Sequence, residues 1–385
     1  MPSQQNLQAR IMRTRRYLEN ITRDYYRKRQ PSVPSDFRLR EFAAQTWTGR
    51  SYIRHLSFQS TTAIHKFLVE KAPRHFYYSS ARYDQPGIDD MDAKGWRSAD
   101  IVFDIDADHL PECSNMVVEV ETPLGEKASF IDEKCIRYAA LRSIILRDIL
   151  VEEIGIDEKK IVVEFSGNRG FHVTVYLQDT DELARASPDV RRELVNYIKA
   201  VGLLDEILEP WRGLNLRKGR PSPVPPSIAL AGVRGRLARI MYRLAEASGH
   251  RDLARLLAGR EPIDYAVYQK QFAELEARAR ELLGVEIDEQ VTVDTRRLIR
   301  APWSINGKTG LLVVPVEYTS LYEFSISECL SPFTDLDPIR IEVITNVPFN
   351  ITVLGNRIRL RRGDKPRLPA PVAVYLLSKG VAVIA

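Results

Sequence analysis

Two β-forming runs, Ile161–Phe165 (IVVEF) and residues 171–177 (FHVTVYL), are separated only by SGNRG. Parallel neighbours need a crossover of about a dozen residues or more, so a link this short closes an antiparallel hairpin. A third run, ADIVFDID at residues 99–106, is just as rich in β-branched and aromatic residues. Between it and the hairpin, residues 131–151 have helical spacing. The chain must therefore build a β-sheet that also accommodates helices.

The flanking segments extend this pattern. Leu7, Ile11, Leu18, Ile21 and Tyr25 recur near a 3.6-residue period, and Pro31 and Pro34 stop that first helix. A second helix over 58–70 opens on a Ser-Thr-Thr cluster suited to capping. Pro86-Gly87 predicts a turn. From about 181 to 284 the composition shifts to Ala, Leu, Arg and Glu, with helices over 234–257 and 265–283 and a Pro-rich linker at 220–227. Strand signals return in LLVVPVEY, RIEVIT and RIRLRR, with Gly355-Asn356 as a hairpin turn; a helix over 371–378 and a closing VAVIA follow. The expectation is an α+β fold, with β-sheets flanked by helices. A discontinuous core, 1–180 and 285–385, is interrupted by a helical insertion at 181–284.

Composition narrows the function classes. With 44% hydrophobic and 28% charged residues, the chain has an ordinary globular balance. It shows no apolar run of membrane-spanning length and no apolar signal core, so a cytoplasmic protein without membrane partners is expected. Net charge is +5, with 42 Arg against 14 Lys. Guanidinium forks match phosphate geometry, which suits a polyanionic partner, and a G+C-rich or thermophilic genome explains the same bias equally well. Three cysteines (Cys113, Cys135, Cys329) are too few for a disulfide framework and fit a reducing setting, with Cys329 expected to be a buried small hydrophobe.

Asp104 and Asp106 alternate with apolar residues in ADIVFDID, so both project from one strand face, roughly 6.6 Å apart along it. Carboxylates so placed converge on paired Mg²⁺ or Mn²⁺ ions, which activate an attacking 3′-hydroxyl and neutralise leaving pyrophosphate. A D-x-D pair is also a common solvated strand end. An EF-hand reading fails, because His109 and Asn115 stand where Gly and Glu are required. A second D-x-D, Asp335 and Asp337, lies among prolines and reads as a loop.

SGNRGFH offers Gly167 and Gly170, which admit close backbone approach to an anion, with Ser166, Arg169 and His172 as further donors. A plain tight turn explains the glycines too. No helix follows, so the motif is not a dinucleotide fingerprint. Farther on, VTVDTRRLIRAPWSINGKTG sets Asp294 after an alternating strand, then Arg296, Arg297 and Arg300, then Gly307-Lys308-Thr309. Pro302 occupies the position where a P-loop needs its first glycine, so Lys308 is read as meeting triphosphate charge beside a third carboxylate.

Taken in order, YYRKR, LREF, IRHLSF, YYSSARYDQPG, MDAKGWRSADIVFDIDADH, SGNRGFH and DTRRLIRAPWSINGKTG resemble the small, catalytic subunit of archaeal–eukaryotic DNA primase, in the form expected of a thermophilic archaeon. The resemblance runs along most of the chain. It implies that Asp104, Asp106 and Asp294 form the metal-binding catalytic triad. Ser166, Arg169, His172 and Lys308 would hold the nucleotide's phosphates, with Arg40 among them. It also implies a mixed α/β core with a helical subdomain, a large iron–sulfur partner subunit, a single-stranded DNA template, and NTPs or dNTPs as substrates for short primers.

Two departures stand out. Asn306 replaces the family's usual His, which implies weaker nucleotide affinity or an altered sugar preference. The family's zinc module is reduced to Cys113 and Cys135 with His109 and Asp132, leaving either a mixed-ligand zinc site or a module without metal. Two other functions compete with the primase reading. A repair or plasmid polymerase of the same superfamily would carry fused helicase or ligase segments. A non-catalytic nucleic-acid-binding subunit would have to keep three mutually repelling carboxylates at a cost in stability.

Overall fold

The computed structural model describes residues 4–49, 51–123, 125–202, 227–259, 265–347 and 351–385. The chain packs as two compact units, one of Met1–Ser143, Val162–Ala186 and Gln290–Ala385, the other of Ile144–Ile161 and Ser187–Glu289. The second unit thus includes a segment that precedes the 181–284 insertion expected from composition. Residues 220–226 of the Pro-rich linker lie outside the described residues.

The first unit is built on antiparallel sheets. One orders its strands Leu298–Arg300, His75–Ser79, Phe42–Gln45 and Ile53–Leu56. Another orders Val314–Pro315, Ile161–Phe165, Gly170–Val175 and Ile101–Asp106. In it the two runs flanking SGNRG are neighbours, and Ser166 N–H donates to Gly170 O at 2.9 Å, closing the hairpin. Phe42, Phe58, Phe76, Tyr78, Val102 and Ile299 form one buried cluster, and the rings of Phe165, Phe171 and Phe324 pack against one another. Helix Gln4–Lys28 ends before Pro31, as its pattern requires. Helix Thr61–Lys71 is capped by Ser60, whose hydroxyl accepts from Ala63 N–H.

The second unit is helical. Gly232–Ala247, Arg251–Leu257 and Tyr265–Glu281 bury Leu237, Met241, Leu253, Leu257, Phe272 and Leu275 against one another. Within this apolar packing Arg236 and Glu153 form a buried bidentate pair at 2.9 and 2.8 Å, and Tyr197 donates to the same carboxylate. That pairing satisfies a charge that burial alone would make costly.

Several local expectations are corrected. The segment before Asp294 is not a strand; Glu289–Val293 is a short helix in which Val291, Thr292 and Val293 are all buried, with Thr292 bonded to the sheet at Val102 O. The last hairpin turns on Leu354-Gly355, both with positive φ, one residue earlier than expected. Cys329 is exposed rather than buried. Cys113 and Cys135 are joined in a disulfide, so their sulfurs are not available as zinc ligands. His109 and Asp132, the other two members of that set, are both exposed. Among the described residues, no helix is long and apolar enough to cross a membrane.

Candidate active site

The site grows from the register of two strands. In Ile101–Asp106, residues Ile101, Phe103 and Ile105 are fully buried, which turns Asp104 and Asp106 to the opposite, half-buried face. The neighbouring strand Gly170–Val175 pairs antiparallel with it, setting Gly170 opposite Asp106 and His172 opposite Asp104. The end of SGNRGFH therefore lies directly across from the D-x-D pair. Gly170 is required there by space: a Cβ would stand 2.9 Å from Asp106 Oδ1, 3.1 Å from its Cα, and inside contact distance of Ile105 O. Gly167, with φ +74°, is required by both conformation and space, since a Cβ would meet that of Asn306 at 2.8 Å.

Asp294 reaches the same place from the far end of the chain. Thr292 Oγ1 donates to Val102 O at 2.9 Å and ties its short helix to the D-x-D strand, and Asp294 Oδ1 accepts from Arg296 N–H at 2.9 Å. Asp104, Asp294, His172, Arg297 and Arg300 line one cleft of about 360 Å³, with Tyr52 and Tyr77 among its other walls. Arg300 lies over the Tyr77 ring at 5.3 Å. Asp106, on the same strand face, has its carboxylate 3.5 Å from Arg169, which also pairs with Asp108 at 2.8 Å. Ligand atoms of Asp106, Asp108 and His109 lie within 4.8 Å of one another, so this end of the strand also has the donor chemistry of a divalent-cation site. Asp108 is the residue the sequence reading missed. Its signal was the third acid of D-x-D-x-D, set aside when the calcium loop failed.

Electrostatics favour an anionic ligand here. His172 is buried, and burial with the charges of Arg300 and Arg297 pushes its imidazole down to about 4, against the pull of Asp106. It is neutral at pH 7, with Nε2 3.8 Å from Asp104 Oδ1. Lys308 has an exposed side chain, yet its ammonium is held below the usual lysine range by desolvation, Arg300 and Arg169. Mutual repulsion among these cations is relieved when a polyanion binds between them.

The Ser166–Gly170 loop is latched from the 306–309 turn. Asn306 is fully buried; its Nδ2 donates to Ser166 O at 2.8 Å and its Oδ1 accepts from Lys308 N–H at 3.1 Å. Thr309 Oγ1 donates to Gly167 O. Asn306 therefore spends both polar ends on backbone and does not reach out to a phosphate or sugar, contrary to the expectation for this position. The turn joins strands Ile305–Asn306 and Leu311–Leu312, with no helix after the lysine, as the rejection of a P-loop requires. Ser166 is buried, and its Oγ accepts from Gly170 N–H at 3.3 Å. Arg40 also departs from expectation. It is 1% exposed, forks onto Asp36, pairs with Asp100 at 2.8 Å and donates to Ser79 O and Ser80 O, so its guanidinium is committed to partners inside the fold.

A family model described as the DNA primase small subunit matches residues 103–318. The chain is 61% identical to the DNA primase small subunit of Hyperthermus butylicus, over 97% of this chain and 98% of that one. Identity is 34% to the corresponding subunit of Sulfolobus acidocaldarius, covering 94% of each chain, and 36% to that of Pyrobaculum calidifontis, covering 93% and 96%. These relatives are archaeal. With the matched span running from the D-x-D strand past the Asn306 turn, the chain belongs to the DNA primase small-subunit family.

Proposed function

We propose that this chain makes short RNA primers, and DNA as well, on a single-stranded DNA template from NTPs or dNTPs by metal-assisted nucleotidyl transfer. One observation carries the reading: the pairing of Gly170 with Asp106 and of His172 with Asp104 sets an anion-binding loop against a carboxylate pair. Asp104 and Asp106, with Asp294, would hold Mg²⁺ or Mn²⁺, which supplies activation of the 3′-hydroxyl and neutralisation of pyrophosphate when bound. The oxygen-rich donor set, with Asp108 and His109 beside Asp106, fits such hard cations.

The chain's own residues do the remaining work. Backbone N–H groups around Gly167, the Arg169 guanidinium and the Lys308 ammonium orient the triphosphate. Arg169, paired with Asp106 and Asp108 here, exchanges carboxylate for phosphate as the nucleotide enters. Neutral His172 donates one N–H to phosphate without adding charge. Arg297 and Arg300 offset charge along the cleft. In this reading the chain is cytoplasmic, acts at replication forks, and works with a large iron–sulfur subunit.

The test is primer synthesis on single-stranded DNA with Mg²⁺ or Mn²⁺, with and without that subunit. Asp104→Ala, Asp106→Ala and Asp294→Ala should each abolish synthesis, as should chelation, while template binding stays near wild type. Synthesis surviving in the Asp104→Ala or Asp106→Ala protein would remove the assignment.

A further inference from the structure

Lys379 lies outside every motif considered above. It follows helix Ala370–Ser378 and precedes Gly380, whose positive φ reverses the chain. Its Nζ donates to Ser129 O at 2.8 Å and to Asn168 Oδ1 at 3.3 Å. The rings of Tyr375 and Phe130 flank it, at 5.3 and 5.9 Å from the ammonium.

Such a setting is a poor one for a lysine that only fills space. Among the described residues no carboxylate pairs with Lys379, and the charges acting on it are those of Lys308 and Arg169, both cations. Burial and these neighbours push the ammonium down to about 7. A methionine would fill the gap between two rings with no desolvation cost. The ammonium is retained at a point where it grips Asn168, the central residue of the Ser166–Gly170 loop. The loop is thereby held from two sides: Asn306 and Thr309 take Ser166 O and Gly167 O, and Lys379 takes the Asn168 side chain.

We propose that Lys379 is a positioning residue for the triphosphate of the incoming nucleotide, fixing the phosphate loop through Asn168 and, once the polyanion is bound, completing a third positive charge behind Arg169 and Lys308. The ligand class is a nucleoside triphosphate rather than a monophosphate, because a cluster of three cations with no nearby counter-ion for Lys379 is matched by a polyphosphate. This inference rests on the loop's role in Proposed function.

Lys379→Met keeps the packing between the rings and removes the charge; Lys379→Arg keeps the charge. ATP and AMP binding are measured by calorimetry on the full chain with Mg²⁺, alongside KM and kcat for primer synthesis. Lys379→Met should weaken ATP binding ~10-fold or more and AMP binding less than about threefold, with KM rising in step and kcat changing little. Lys379→Arg should stay within about threefold of wild type for ATP. Asn168→Ala, at a half-exposed side chain, should lose affinity for ATP in the same direction, and it decides the matter if Lys379→Met does not fold. ATP affinity within about twofold of wild type in Lys379→Met or, failing that variant, in Asn168→Ala overturns the proposal. So does an equal loss for AMP. Wild-type protein that binds no ATP would instead overturn the reading of the loop itself.

Discussion

Replacing Gly170 by alanine tests whether the strand register positions the carboxylates. Gly170 has no positive φ, so alanine there costs nothing in backbone conformation. The cost is steric. The new methyl would stand 2.9 Å from Asp106 Oδ1 and 3.1 Å from Asp106 Cα, against ordinary contacts of ~3.5–4.0 Å. Most of that obstruction is backbone, with Ile105 O also in the way, so strand Ile101–Asp106 must shift by several tenths of an ångström to about 1 Å. Overpacking of this kind costs ~1–3 kcal/mol. A misplacement near 1 Å at a reacting centre costs on the order of 10²-fold in rate. Urea unfolding monitored by circular dichroism measures the first quantity, and primer synthesis per folded molecule the second. Gly355→Ala is the matched control: φ is +79° with nothing within 4 Å, so it should lose stability modestly and keep its rate. A Gly170→Ala protein with wild-type rate, whatever its stability, would refute the argument that this pairing sets Asp106.

Glu164 is fully buried, neither carboxylate oxygen has a hydrogen-bond partner among the described residues, and burial pushes its carboxyl up to about 8. The folded state therefore favours the protonated acid, and the associated stability is full below the ordinary glutamate value of 4.5 and lost as pH rises through about 8. That gap corresponds to on the order of 5 kcal/mol; Glu164→Gln should flatten the fall, and identical pH slopes in the two proteins would contradict it. The Cys113–Cys135 disulfide closes a loop of sequence separation 22, so reduction should cost ~3 kcal/mol without releasing zinc; stoichiometric zinc in purified protein would reverse that correction. Asn306→Ala removes the hold on both Ser166 O and Lys308 N–H. It should raise nucleotide KM several-fold, at ~1 kcal/mol per lost hydrogen bond, and leave ribo/deoxy selectivity unchanged. Asn306→His should do the same, since the amide faces backbone rather than sugar; changed selectivity at constant KM would refute this.

The disulfide shows how composition misleads when compartment is inferred from cysteine count. Disulfides also form in intracellular proteins of hyperthermophiles, so three scattered cysteines do not exclude a pair such as Cys113–Cys135.

What the sequence alone determined is local. Alternation in ADIVFDID placed Asp104 and Asp106 on one face, because side-chain direction in a strand has period two whatever the strand packs against. The short link between IVVEF and FHVTVYL forced a hairpin, and Pro302 excluded a P-loop. Tertiary structure decided which of several chemically equivalent residues face the cleft, since a side chain's partners come from elements far away in sequence. Arg40 looked like a phosphate ligand and is consumed by Asp36 and Asp100. Asn306 looked like a donor to substrate and instead latches the loop. Lys379 looked like the end of a helix, and the fold brings it to Asn168 across a separation of 211 residues. Asp294 joins the D-x-D strand only because Thr292 bonds to Val102 across 190 residues, a contact that no periodicity encodes.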